Sequence, residues 1–139
     1  MRRFLVALTA AVSALLFLVP AASAGSAHFV KNAFEISRSG NSLTVSGKEA
    51  GLGNLAQVHI VVTATAACLN PGGNFPKAAN KQSLASEGDF PVQNGKADFS
   101  LTLTATFQPN CSPPMSVVFG DVTVTDTTNG ISFTFRGTF

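Results

Sequence analysis

Two imidazoles, His28 and His59, two thiols, Cys68 and Cys111, and a handful of carboxylates are the side chains here with reactive potential. Nucleophilic hydrolysis needs a serine aimed at a base and a base aimed at an acid. The chain has no G-x-S-x-G elbow, and His59 has no acidic neighbour in sequence. His59 therefore reads as a solvated surface histidine. Glu87 and Asp89 stand two apart and would share one face of a strand. Paired carboxylates can act as acid and base in glycoside hydrolysis, but that chemistry needs a cleft seldom built in so small a domain. Solvation is the plainer role for the pair. Lys48, Glu49, Lys77 and Lys81 read as ordinary solvated charges in the same way.

Copper is a second chemistry to weigh. Cleavage of the chain after Ala27 would make His28 the first residue, with an amine and an imidazole together. His59 would complete a three-nitrogen set suited to Cu(II). This would be similar to the histidine brace of secreted copper sandwiches, but both the cut and the geometry must cooperate. The main reading expects no metal and no cofactor. Sugar platforms usually rest on Trp or Tyr, whose rings stack while a polar handle hydrogen-bonds. The chain has neither, and carbohydrate binding is accordingly the weaker alternative.

The two cysteines carry a structural expectation. A zinc site would need two more strong ligands, and His28 and His59 are the sole histidines. A redox pair is usually spaced C-x-x-C. In an oxidising compartment the simplest outcome is a Cys68–Cys111 disulfide. Closing that loop should add about 4 kcal/mol in the chain-entropy account. Asn110-Cys111-Ser112 matches a glycosylation sequon, but its bridged cysteine leaves it no expected role.

The elements that must position these groups are strands. Ala97 to Phe107 alternates without a break: Ala97, Phe99, Leu101, Leu103, Ala105 and Phe107 on one face, Asp98 and four Ser/Thr between them. Period 2 held this long is hard to read as helix. Asn94-Gly95 just before it is a hairpin signal, because both residues tolerate positive φ. Val58, Ile60, Val62, Ala64, Ala66 and Cys68 form a second inward series, which puts Cys68 on the core face. Phe34 with Ile36, Leu43 with Val45, and Ile131 with Phe133 and Phe135 alternate likewise. Met115, Val117 and Phe119 are odd-numbered while Val122 and Val124 are even, so the phase flips at Gly120, as at a β-bulge. About seven strands with regular turns predict an all-β, antiparallel, immunoglobulin-like β-sandwich with one disulfide; a small closed barrel is the alternative.

Leu69 to Gly88 breaks the alternation. It holds Asn70-Pro71-Gly72-Gly73-Asn74 and then Lys77-Ala78-Ala79-Asn80-Lys81-Gln82, the latter long enough for one helical turn. Its length exceeds the usual sandwich connection. The predicted disulfide would staple it to Gln108–Pro114. Loops at one end of a rigid sandwich are where such domains place function. Asn70, Asn74, Lys77, Asn80 and Lys81 are therefore the candidate binding residues.

Arg2 and Arg3, the apolar run Phe4–Val19, and the small residues Ala22-Ser23-Ala24 are the order of a secretory signal. The expected domains are a signal peptide over 1–24 and a single β-sandwich over 25–139, secreted to the extracellular side. Without Arg2 and Arg3, the 9 Lys+Arg become 7 against 7 Asp+Glu, a net charge near zero. That argues against nucleic acid as a partner and against a basic membrane surface. No later segment is apolar enough to span a membrane once the signal is removed.

His28-Phe29, Lys48-Glu49-Ala50-Gly51-Leu52-Gly53, Cys68 with Gly72-Gly73-Asn74, Ala78-Ala79-Asn80-Lys81 and Asp126-Thr127-Thr128-Asn129-Gly130 carry a resemblance. Over nearly the whole chain after the signal, it resembles a family of uncharacterised small secreted microbial β-sandwich proteins. The resemblance implies secretion and a shared β-fold, with no known activity and no functional residues to carry over. The functional expectation is a secreted, non-enzymatic domain that binds an extracellular protein or surface ligand, or serves a structural role.

Overall fold

Alternation of apolar and polar residues needs two layers, because each strand has an apolar face to bury. The computed structural model describes residues 26–72 and 80–139. The expected signal peptide over 1–24 and the candidate residues Asn74 and Lys77 lie outside the described residues. The strands are β1 (His28–Phe29), β2 (Glu35–Ser39), β3 (Ser42–Ala50), β4 (Gln57–Leu69) and β5 (Lys81–Pro91). They continue with β6 (Ala97–Thr104), β7 (Ser116–Phe119), β8 (Val122–Asp126) and β9 (Ile131–Phe135). A short 3-10 turn, Lys31–Ala33, separates β1 from β2.

All pairings are antiparallel, in two sheets. In sheet A, β3 pairs with β6 on one side and with both β1 and β2 on the other. In sheet B, β4 pairs with β5 on one side and with both β7 and β8 on the other, and β9 follows β8. Among the described residues, nine strands therefore replace the expected seven. The reason is local: β1 and β2 share one lane broken by the 3-10 turn, and β7 and β8 share one lane broken at Gly120-Asp121. Buried Val117 and Phe119 give way there to buried Val122 and Val124, and the Gly120 amide donates to the Thr65 carbonyl at 2.8 Å.

The core lies between the sheets. Leu43, Val45, Phe99, Leu101 and Leu103 of sheet A meet Val58, Ile60, Val62, Phe119, Val122 and Val124 of sheet B. On one side the gap is closed by phenylalanines. Phe34, just before β2, stacks on Phe133 at 5.6 Å and meets Phe135 edge-on at 4.6 Å, both on β9. On the other side the β5–β6 hairpin crosses between sheets at Asn94 (φ 53) and Gly95 (φ 72), the doubly positive turn that Asn-Gly predicts. The Gln82 side-chain oxygen accepts from the Thr106 amide at 2.8 Å and ties the far end of that hairpin.

The bond between Cys68 and Cys111 forms as expected, with Cα atoms 5.7 Å apart. At both ends of the stretch from Leu69 to Gly88 the described residues are less irregular than expected. Leu69 closes β4, and Lys81 onward is strand β5, which pairs with β4 from Gln57↔Pro91 to Ala67↔Lys81. Lys81 and Gln82 are thus extended, not helical. The inward positions Gln82, Leu84, Ser86, Gly88 and Phe90 mix polar and small residues with apolar ones. That composition hides the period, and the long ladder to β4 supplies the order instead.

Candidate functional site

Antiparallel register decides which groups meet. His59↔Asp89 and Val61↔Glu87 are paired across β4 and β5, so Glu87 and Asp89 share the outer face with His59. The imidazole sits between them: Nδ1 is 2.7 Å from Asp89 Oδ1, and Nε2 is 3.2 Å from Glu87 Oε2. Both ring nitrogens can donate only in the imidazolium form. Hydrogen bonding to Asp89 first, and to Glu87 second, accordingly raises the His59 pKa above its ordinary value. This corrects the reading of His59 as a merely solvated histidine. Its acidic partners lie about 30 residues away in sequence and arrive through strand pairing.

Glu49 corrects the second reading. It has no exposed surface, while its neighbour Lys48 points outward and pairs with Asp98 at 3.5 Å. Strand β3 buries Leu43, Val45, Gly47 and Glu49 in one series. Across the core, β8 buries Val122, Val124 and Asp126. Asp126 is well supplied with donors: the Thr128 amide at 2.7 Å, the Asn129 amide at 3.2 Å and the Asn129 side-chain amide. Among the described residues, no N–H or O–H reaches either oxygen of Glu49. Its neighbour is the Asp126 carboxyl, itself an acceptor, so a hydrogen bond between the two requires a proton on one of them. Burial first, then hydrogen bonding to Asp126 and its negative charge, push the Glu49 pKa up to about 8. Glu49 is thus a neutral acid at pH 7. The missed signal was phase: Glu49 continues the inward series of Leu43 and Val45, and Asp126 that of Val122 and Val124.

Sheet A carries a third constellation, on its outer face. Three cross-strand rows run Ser39–Ser42–Thr104, Ser37–Thr44–Thr102 and Glu35–Ser46–Ser100. Ser42 and Thr104 hydroxyls are 2.9 Å apart, and those of Thr44 and Thr102 are 2.8 Å apart. Neighbouring rows stand about 6.7 Å apart along the strands and neighbouring strands about 4.8 Å apart. The charges lie at the margins, in Glu35 and in the Lys48–Asp98 pair.

The remaining sequence candidates are placed as follows. Asn70 is exposed just beyond β4, Asn80 is half-buried, and Lys81 opens β5, all near the Cys68–Cys111 staple. A groove of about 300 Å³ lies on the neighbouring outer face of sheet B, floored by Ala67, Leu69 and Val118 with Lys81 at its lining. His28 belongs to sheet A, paired with Ala50, and its Nδ1 lies 2.8 Å from the Ser26 carbonyl. His59 belongs to sheet B, with its two ring nitrogens engaged by Asp89 and Glu87. No group of three or more His, Cys, Asp or Glu suited to a metal occurs among the described residues. No family model, curated protein or solved structure matches the chain.

Proposed function

We propose that this chain is an exported, non-enzymatic β-sandwich of immunoglobulin-like order that binds a neutral, hydroxyl-rich polymer through the outer face of sheet A. The observation that carries the reading is the three-row Ser/Thr array on β2, β3 and β6, with its charges kept to the margins. Such a face offers many weak donors and acceptors at a regular spacing. A repeating neutral glycan can meet several at once, and multivalency then compensates for the missing aromatic rings. Export is supported by the signal-like N-terminal order and by the disulfide. The immunoglobulin-like order is supported by seven lanes divided three and four, with the chain passing A-A-B-B-A-B-B.

The test is co-sedimentation with insoluble neutral polysaccharides and with microbial cell walls. Thr44→Lys with Thr102→Lys places two charges at the centre of the face without touching the core. The wild-type protein is expected in the pellet and the variant in the supernatant. Equal retention of a folded variant, or no retention of the wild type on any neutral glycan, overturns the reading. A second reading, a protein partner at the stapled end, is favoured by the apolar groove there. In that case Asn70→Ala with Val118→Lys would abolish capture and the Thr44/Thr102 variant would not.

A further inference from the structure

Among the described residues, Glu49 and Asp126 are the charged-type side chains with no exposed surface. They come from opposite sheets, β3 and β8, at the end of the core remote from the disulfide. Asp126 is held by three donors from its own turn. Glu49 is held by none, although a buried carboxyl without a partner is costly. A hydrogen bond from a protonated Glu49 carboxyl to the Asp126 carboxylate would account for both facts.

We propose that Glu49 and Asp126 share a single proton that latches sheet A to sheet B at this end, so that loss of the proton releases the 126–130 turn. The structural step is simple in its balance. A base removes one proton from the pair, and the two negative charges left in the buried core repel strongly. The neighbouring backbone is built to respond. Asp126 caps the turn through the Thr128 and Asn129 amides, and its carbonyl accepts from the Gly130 amide at 2.9 Å. The Thr127 amide donates to the His59 carbonyl at 3.0 Å, and the Leu52 amide after β3 donates to the Gly95 carbonyl at 3.0 Å.

The charged groups of the surrounding elements do not neutralise the pair. On β3 itself Lys48 faces outward to Asp98 of β6. On β1, His28 is exposed and engaged with the Ser26 carbonyl. On β4, His59 faces outward between Glu87 and Asp89 of β5. Strand β9, Ile131–Phe135, carries no titratable side chain. Burial and the adjacent Asp126 hold the Glu49 pKa near 8, which places the release just above neutral pH.

Carbon-detected NMR titration of the Glu49 side-chain carboxyl reads the latch directly, without any substitution. A midpoint well above 7 is expected, and a midpoint between 4 and 5 overturns the proposal. Amide exchange of Thr128 and Asn129, corrected for intrinsic base catalysis, reads the release. It should accelerate about tenfold or more between pH 6 and pH 9 in the wild-type protein. Glu49→Gln, which donates at every pH, should remove that acceleration, and Asp126→Asn should lower the Glu49 midpoint. His59→Gln should leave the acceleration in place. Corrected exchange that is flat with pH in the wild type, or equally steep in Glu49→Gln, overturns the proposal.

Discussion

At the scale of the residue, a position without a side chain is as consequential as the charged ones. A Cβ built at Gly47 would stand 2.7 Å from Phe99 and 2.8 Å from Phe34. Those rings belong to the cluster that closes one side of the sandwich, with Phe34 against Phe133 and Phe135. Gly47→Ala should therefore cost about 1–3 kcal/mol through overpacking, read as a lower urea midpoint at unchanged m-value. His59 provides a second residue-scale expectation. Its imidazole should titrate above the ordinary histidine range by NMR, and Glu87→Gln with Asp89→Asn should return it there. An unshifted midpoint in the wild type would show that the two contacts do not persist in solution.

At the scale of the element, lanes and loops carry the argument. The lane β1/β2 is broken by the turn at Lys31–Ala33, and the lane β7/β8 is broken at Gly120-Asp121. In both, the chain resumes beside the same partner strand, so a break in the element is not a break in the sheet. The phase flip at Gly120 was legible in the odd and even numbering of its apolar residues. The start of β5 was not, because Lys81 to Gly88 holds Gln82, Ser86 and Gly88 at inward positions. The disulfide belongs to this scale too. It ties the end of β4 to the segment before β7 across 43 positions of sequence. Replacing both cysteines with Ala should lower stability by about 4 kcal/mol, measured by chemical denaturation of the two forms. A loss under about 1 kcal/mol would mean that the β4–β7 ladder alone orders this end.

At the scale of the whole molecule, two titrating systems act in one direction. The Glu49 pKa is raised from 4.5 to about 8, so the folded chain holds a proton that the unfolded chain releases. Stability from this group is full below pH 4.5 and is lost progressively as pH rises to about 8. The His59 pKa is also raised, so its contribution is full below 6.5 and is lost as pH climbs through the folded value. The thermal midpoint is therefore expected to be higher at pH 5 than at pH 8.5. Glu49→Gln should flatten most of that difference, and adding His59→Gln should flatten more of it. A midpoint that rises between those two pH values would contradict both assignments.

The all-β class, the antiparallel alternation, the Asn94-Gly95 turn and the Cys68–Cys111 bond were legible in the order of residues alone. Each of these is local or follows from a count: period 2 reports which face is buried, Asn-Gly reports a doubly positive turn, and two cysteines have one way to pair within a chain. The inward phase of Glu49 and Asp126 was written there as well, in step with Leu43, Val45, Val122 and Val124. The tertiary structure alone decided what those residues meet. His59 gains Asp89 and Glu87 through the β4–β5 register, and Glu49 gains Asp126 through the stacking of two sheets. The Ser/Thr rows of sheet A likewise exist only once β2, β3 and β6 stand side by side. The physical reason is common to all three. A side chain's direction is fixed by its own strand, but its partner is fixed by register and sheet packing, which sum over the whole chain.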